Sequence, residues 1–65
     1  MNILLNGQQH NLEQAISLEE LILSLELEGK FAVEINQNII SRSEYSTTRL
    51  NQGDNIEIVQ AIGGG

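Results

Sequence analysis

Sixty-five residues make one small domain, too short to hold both a hydrophobic core and a deep catalytic pocket. The chain has no cysteine, which excludes disulfide stapling, thiolate catalysis and cysteine-based metal sites. Nine acidic side chains against Lys30, Arg42 and Arg49 leave a net charge of −6, which opposes nucleic-acid phosphates and anionic lipid surfaces and suits a partner with a basic surface.

The opening Met1 to Asn6 lacks a basic n-region and a long apolar run, so no signal peptide or membrane span is predicted and a cytoplasmic location is the default. Period-two alternation puts Ile3 and Leu5 on one face of a first strand. Asn6-Gly7 is a favoured hairpin pair, because both residues tolerate positive φ. A second strand is expected from about Gln9 to Gln14, with Leu12 inward. Ser17-Leu18-Glu19-Glu20 then reads as a capping box, with Ile16 and Leu21 at the positions of a hydrophobic staple. Leu18, Leu21, Ile22 and Leu25 form the buried stripe of a helix, Gly29 is the expected C-cap, and Lys30 stands near the negative end of the dipole.

Phe31 to Ile35 alternates as a third strand, and Asn36-Gln37-Asn38 turns it into Ile39-Ile40-Ser41. Glu44 to Leu50 reads as a short irregular or edge segment, and Gln52-Gly53-Asp54 as a turn. A last strand from Asn55 to about Ala61 puts Ile56 and Ile58 on one face, with Glu57 and Val59 on the other. Hairpin, helix, hairpin and final strand, in that order, fit an α+β domain with one helix packed across a mixed four- or five-stranded sheet. The first and last strands would lie parallel at its centre. This is the β-grasp, or ubiquitin-like, arrangement, expected over residues 1–62 with a flexible glycine tail at 63–65.

No enzyme site is predicted. His10 has no nucleophile or carboxylate partner at motif spacing and reads as a strand-edge residue. Glu19-Glu20 and Glu26/Glu28 lack metal-ligand spacing and read as a solvated face. The tail, Gly63-Gly64-Gly65, precedes no helix and carries no lysine, so it is not a phosphate loop. Its chemistry would be that of a terminal carboxylate on Gly65, carried by residues slim enough to enter a narrow slot. Taken alone, the same tail reads as a frayed end. Leu4 and Val59 fall on the outward faces of the two central strands. With Ala61 and Ile62 they would make an apolar docking patch leading into the tail.

With these elements placed, the chain resembles the ThiS family of sulfur carrier proteins of thiamine biosynthesis. The resemblance rests on Val33-Glu34-Ile35-Asn36 followed by Ile40-Ser41-Arg42, on Leu50-Asn51-Gln52-Gly53-Asp54-Asn55-Ile56-Glu57-Ile58, and on the closing Gly64-Gly65. Ser41 stands where members often have proline, and Gly63 where alanine is common. The resemblance implies a protein substrate rather than an enzyme, with no bound cofactor. An E1-like adenylyltransferase of the ThiF type would use ATP to adenylate Gly65, and Gly63 and Gly64 would thread into partner active sites. Sulfur relayed from a cysteine desulfurase would then displace AMP, and a ThiG-type thiazole synthase would take sulfur from the resulting thiocarboxylate. Two rival readings stand beside it: a carrier for another pathway, such as the small subunit of molybdopterin synthase, and an inert ubiquitin-like interaction module.

Overall fold

A computed structural model of the chain describes residues 1–60. Among them are one α-helix and five strands: β1 (Asn2–Leu5), β2 (Gln8–Asn11), α1 (Leu18–Ser24), β3 (Phe31–Ile35), β4 (Asn38–Ile40) and β5 (Asn55–Gln60). A short 3-10 turn, Arg42–Glu44, lies between β4 and β5. The sheet order is β2-β1-β5-β3-β4. β1 and β5 pair in parallel and the other pairs are antiparallel, so the last strand takes the central place. The expected β-grasp is therefore present with five strands. The boundary expected at residue 62 and the tail at 63–65 lie outside the described residues. No helix among the described residues is long and apolar enough to cross a membrane.

The core is aliphatic. Ile3, Leu12, Leu18, Leu21, Val33, Ile35, Leu50, Ile56 and Ile58 are buried, and Ile22, Leu25, Phe31 and Tyr45 pack partly buried against them. Alternation along β1, β3 and β5 produces this one-sided burial, because successive side chains point to opposite faces of the sheet. Thus Ile56 and Ile58 are buried while Glu57 and Val59 are exposed.

A seven-residue helix is too short to persist on propensity alone, so its ends must be satisfied from outside. The capping box forms as its sequence predicts: the Glu20 N–H donates to Ser17 Oγ (3.1 Å) and the Ser17 N–H to Glu20 Oε1 (3.0 Å). The segment read as irregular supplies the remaining partners. The Leu18 N–H donates to the Thr48 carbonyl (2.8 Å) and the Glu19 N–H to the Tyr45 carbonyl (3.0 Å). Residues 44–50 add no strand. They wrap across the helix start, make one bridge between Ser17 and Arg49, and deliver Leu50 to the core at 1% exposure.

Element ends differ from the sequence expectations, each for a local reason. β2 stops at Asn11, and Leu12 continues the pairing through two bonds, its N–H donating to the Met1 carbonyl (2.7 Å) and its carbonyl accepting from the Met1 amino group (2.6 Å). The β3–β4 turn uses only Asn36 and Gln37, both at positive φ, as a tight two-residue hairpin demands. The helix ends well before Gly29. The Ser24 hydroxyl donates to the Leu21 carbonyl, the last turn tightens to i→i+3 bonds, and Glu26 takes the left-handed conformation at φ 52°. Leu27 then packs against the core, which draws the chain back before Gly29 is reached. No basic residue stands in the last turn, so Lys30 does not serve the helix dipole.

Two predictions follow from the helix start. Ser17→Ala should destabilise the domain by about 1 kcal/mol in denaturant titration, since it removes an N-cap acceptor. Hydrogen bonds from the Ser17 backbone and side chain hold the Glu20 carboxyl below its ordinary pKa, with Arg49 adding a smaller attraction. A depressed carboxyl stabilises the fold above its unfolded pKa and loses that contribution as pH falls through its folded one. The denaturation midpoint should therefore decline as pH drops through and below the usual glutamate range, and Ser17→Ala should flatten that slope.

Candidate functional site

The described part of the site is the sheet face turned away from α1. Both apolar residues expected there are on it: Leu4 is 38% exposed and Val59 61%. The register does not bring them together. Leu4 lies opposite Asn55, and Val59 is four residues further along β5. At the rise of a parallel strand this is a separation of roughly 13 Å. Leu4 instead borders an open groove of about 270 Å³ whose lining includes Asn2, Gln9, Gln52 and Gly53. None of the lining residues is ionisable, so the groove supplies neither an acid nor a base. Ala61, Ile62, Gly63, Gly64 and Gly65 lie outside the described residues.

Val59 has different neighbours. It pairs with exposed Ala32 on β3, while two pairs along the same ladder, on the same face, Glu57 stands directly opposite Glu34. Glu34 in turn faces Ile39 on β4, the most exposed large apolar side chain among the described residues at 79%. Facing residues in an antiparallel pair have Cβ atoms only about 5 Å apart, and like charges so placed repel. The open face therefore carries two opposed carboxylates with Val59, Ala32 and Ile39 around them. Sequence reading placed Glu57 outward but missed this pairing, because only the β3–β5 register reveals it.

The other candidate residues stay apart. His10 lies on edge strand β2 opposite Ile3. Among the described residues, no three histidine, aspartate or glutamate side chains come together as a metal site. The Gly53-Asp54 turn is structural. Asp54 accepts from the Asn51 N–H (2.8 Å) and from Asn36 Nδ2 (3.1 Å), and Asn36 Oδ1 accepts from the Asn55 N–H (2.9 Å). These bonds tie the entry of β5 to the β3–β4 turn.

The ThiS family model matches residues 3–65, nearly the whole chain. This chain belongs to the ThiS family. A solved structure of a thiamine biosynthesis protein (ThiS) from Geobacter metallireducens superimposes with a TM-score of 0.85 at 26% identity, covering 100% of both chains. A protein named thiazole synthase from Magnetococcus marinus is 44% identical over 66 residues, and one of the same name from Paramagnetospirillum magneticum is 38% identical over the same length. All of this chain is covered in both matches, and it spans 20% of each of those longer proteins. The match to the family model includes the Gly53-Asp54 turn, which the structure shows to anchor β5, and the glycine tail.

Relief of the Glu34–Glu57 repulsion should be measurable. Glu34→Gln should raise stability by a few tenths of a kcal/mol in dilute buffer, and the gain should shrink in high salt as screening weakens the repulsion.

Proposed function

We propose that this ThiS-family chain is a sulfur carrier of thiamine biosynthesis whose reactive group is the Gly65 carboxylate. A carboxylate is a poor electrophile. An E1-like adenylyltransferase of the ThiF type joins it to AMP from ATP, releasing pyrophosphate, and so gives the acyl carbon a leaving group. The outer sulfur of a persulfide, relayed from a cysteine desulfurase, attacks that carbon, and AMP departs with one of the former carboxylate oxygens. A second thiol then attacks the cysteine sulfur of the resulting acyl disulfide, forming a disulfide and releasing the acyl-bound sulfur with the bonding electron pair. The product is a thiocarboxylate, and a ThiG-type thiazole synthase takes the sulfur. In this reading the chain is a substrate and not a catalyst, binds no cofactor of its own, and acts in the cytoplasm without nucleic acid or membrane.

The observation that carries the proposal is the family match, which runs through the tail to residue 65 on a fold of the same order. The partner is supported by the two relatives named thiazole synthase, each of which contains a stretch similar to all of this chain. Tail chemistry fits the residues: Gly63 and Gly64 add no side chains to a narrow passage, and a chain without cysteine has no thiol to compete for the sulfur.

Docking of the adenylating enzyme is assigned to the Val59 side of the open face, continuing in sequence through Ala61 and Ile62. Its partner surface is apolar with a cation set opposite Glu34 and Glu57, where pairing would relieve their repulsion. Leu4 stands apart from this surface, since the register removes it from Val59.

Intact mass and thiol alkylation of the protein from its own host test the chemistry. Alkylation mapped to the C-terminal peptide, and lost when Gly65 is deleted, is the expected result. No labelling after incubation with ATP, a matched E1-like enzyme and a sulfur donor would leave the inert module as the better account. Labelling that serves molybdopterin rather than thiazole synthesis would favour the other carrier. Val59→Glu should slow adenylation while the thermal midpoint stays near wild type, because the side chain is already 61% exposed.

A further inference from the structure

β3 pairs with β5 through Gln60, but on the β1 side the main-chain ladder runs out earlier and side chains take over. β1 and β5 are joined by bonds from the Leu4 N–H to the Asp54 carbonyl (2.8 Å) and from the Asn6 N–H to the Ile56 carbonyl (2.9 Å). In a continuing parallel ladder the Ile58 N–H would next donate to a main-chain carbonyl of the neighbouring strand. The chain instead turns at Asn6-Gly7, with φ of 51° and 81°. The Asn6 side chain takes the missing place: the Ile58 N–H donates to Asn6 Oδ1 at 2.8 Å, across 52 residues of sequence. Two residues further on, Gln60 Nε2 donates to the Glu28 carbonyl (3.2 Å), in the loop after the helix.

We propose that Asn6 is a positioning residue for the reaction at Gly65. Its side chain extends the β1–β5 ladder by one rung and so fixes the direction of β5 where the chain leaves for residues 61–65; Gln60 supports the same segment from the helix side. The proposal rests on the carrier reading above. One residue thereby does two jobs. Asparagine tolerates the left-handed backbone of the turn and also carries an acceptor that glycine, which fits the turn equally well, does not have. Without that acceptor Ile58 keeps its packing, at 9% exposure, but its N–H loses its partner. A strand end that wanders presents the reacting carboxylate less often in line with ATP. Such a loss falls on turnover more than on docking, because docking depends on the sheet face.

The two roles separate in Asn6→Gly, which keeps the turn and deletes the acceptor, and Asn6→Asp, which keeps both. Each is assayed by ATP–pyrophosphate exchange with the matched E1-like enzyme over a range of carrier concentrations, and by amide hydrogen exchange at Ile58 with Ile56 as internal control. For Asn6→Gly, Ile58 should exchange about tenfold faster, with Ile56 unchanged. Its kcat should fall about tenfold and its KM move less than about twofold. Asn6→Asp should stay near wild type in all three. Gln60→Ala, an exposed change that leaves the turn alone, should also lower kcat and answers the question if Asn6→Gly folds poorly. An unchanged kcat in both Asn6→Gly and Gln60→Ala, or a rise in KM alone, overturns the positioning role. Failure of the wild-type chain to support exchange overturns the carrier reading and this proposal with it, a result distinct from a wild type that turns over beside an unaffected variant.

Discussion

The parallel pairing of the first and last strands is the constraint on which the domain depends. β5 lies between β1 and β3, and its inward residues Ile56 and Ile58 fill the centre of the core. A parallel pair cannot be closed by a tight turn, so everything between residues 5 and 55 must be folded into one long crossover that carries the helix. Closing so long a loop costs entropy that only the shared core offsets. Because β5 is central, the chain reaches residue 60 from the most firmly anchored strand of the sheet rather than from an edge. Beyond Ile56 the strand keeps its main-chain pairing with β3 through Gln60, while on the β1 side the Asn6 side chain takes the Ile58 N–H.

The helix and the segment at 41–50 depend on each other. α1 is too short to stand alone, and the donors at its start are met by Ser17, Tyr45 and Thr48. In return the helix gives Leu50 a place in the core beside Leu18 and Leu21. A second, smaller device holds the same segment. The Ser41 N–H and Oγ both donate to the Glu44 carboxylate, which keeps that carboxyl below its ordinary pKa and secures the 3-10 turn. Order in a stretch with no strand and only one helical turn thus comes from backbone and side-chain bonds at its margins.

The outer face shows the opposite tendency. Stability alone would not place Glu34 opposite Glu57, nor leave Ile39 and Val59 in water. These features disfavour the isolated chain slightly and suit a surface that is covered part of the time. The acidic balance of the whole chain points the same way, toward partners with basic faces. The inner face, by contrast, carries the buried aliphatic core.

By itself the sequence determined whatever a few neighbouring residues can decide. The capping box starts the helix at Leu18, the alternation of Phe31 to Ile35 defines β3 to the residue, and Asn6-Gly7 makes the first turn, because each rests on bonds within a few positions. The glycine tail and the Gly53-Asp54 turn were also legible, and with them the family. Tertiary structure alone decided register, and with it the character of the site. It separated Leu4 from Val59, set Glu34 against Glu57, and ended the helix at Ser24 once Leu27 was needed by the core. It also turned Leu50 inward and placed Asn6 Oδ1 on an amide 52 residues away. Shifting a strand by one residue exchanges its two faces without altering its alternation, so pairing must be settled by packing across the whole domain.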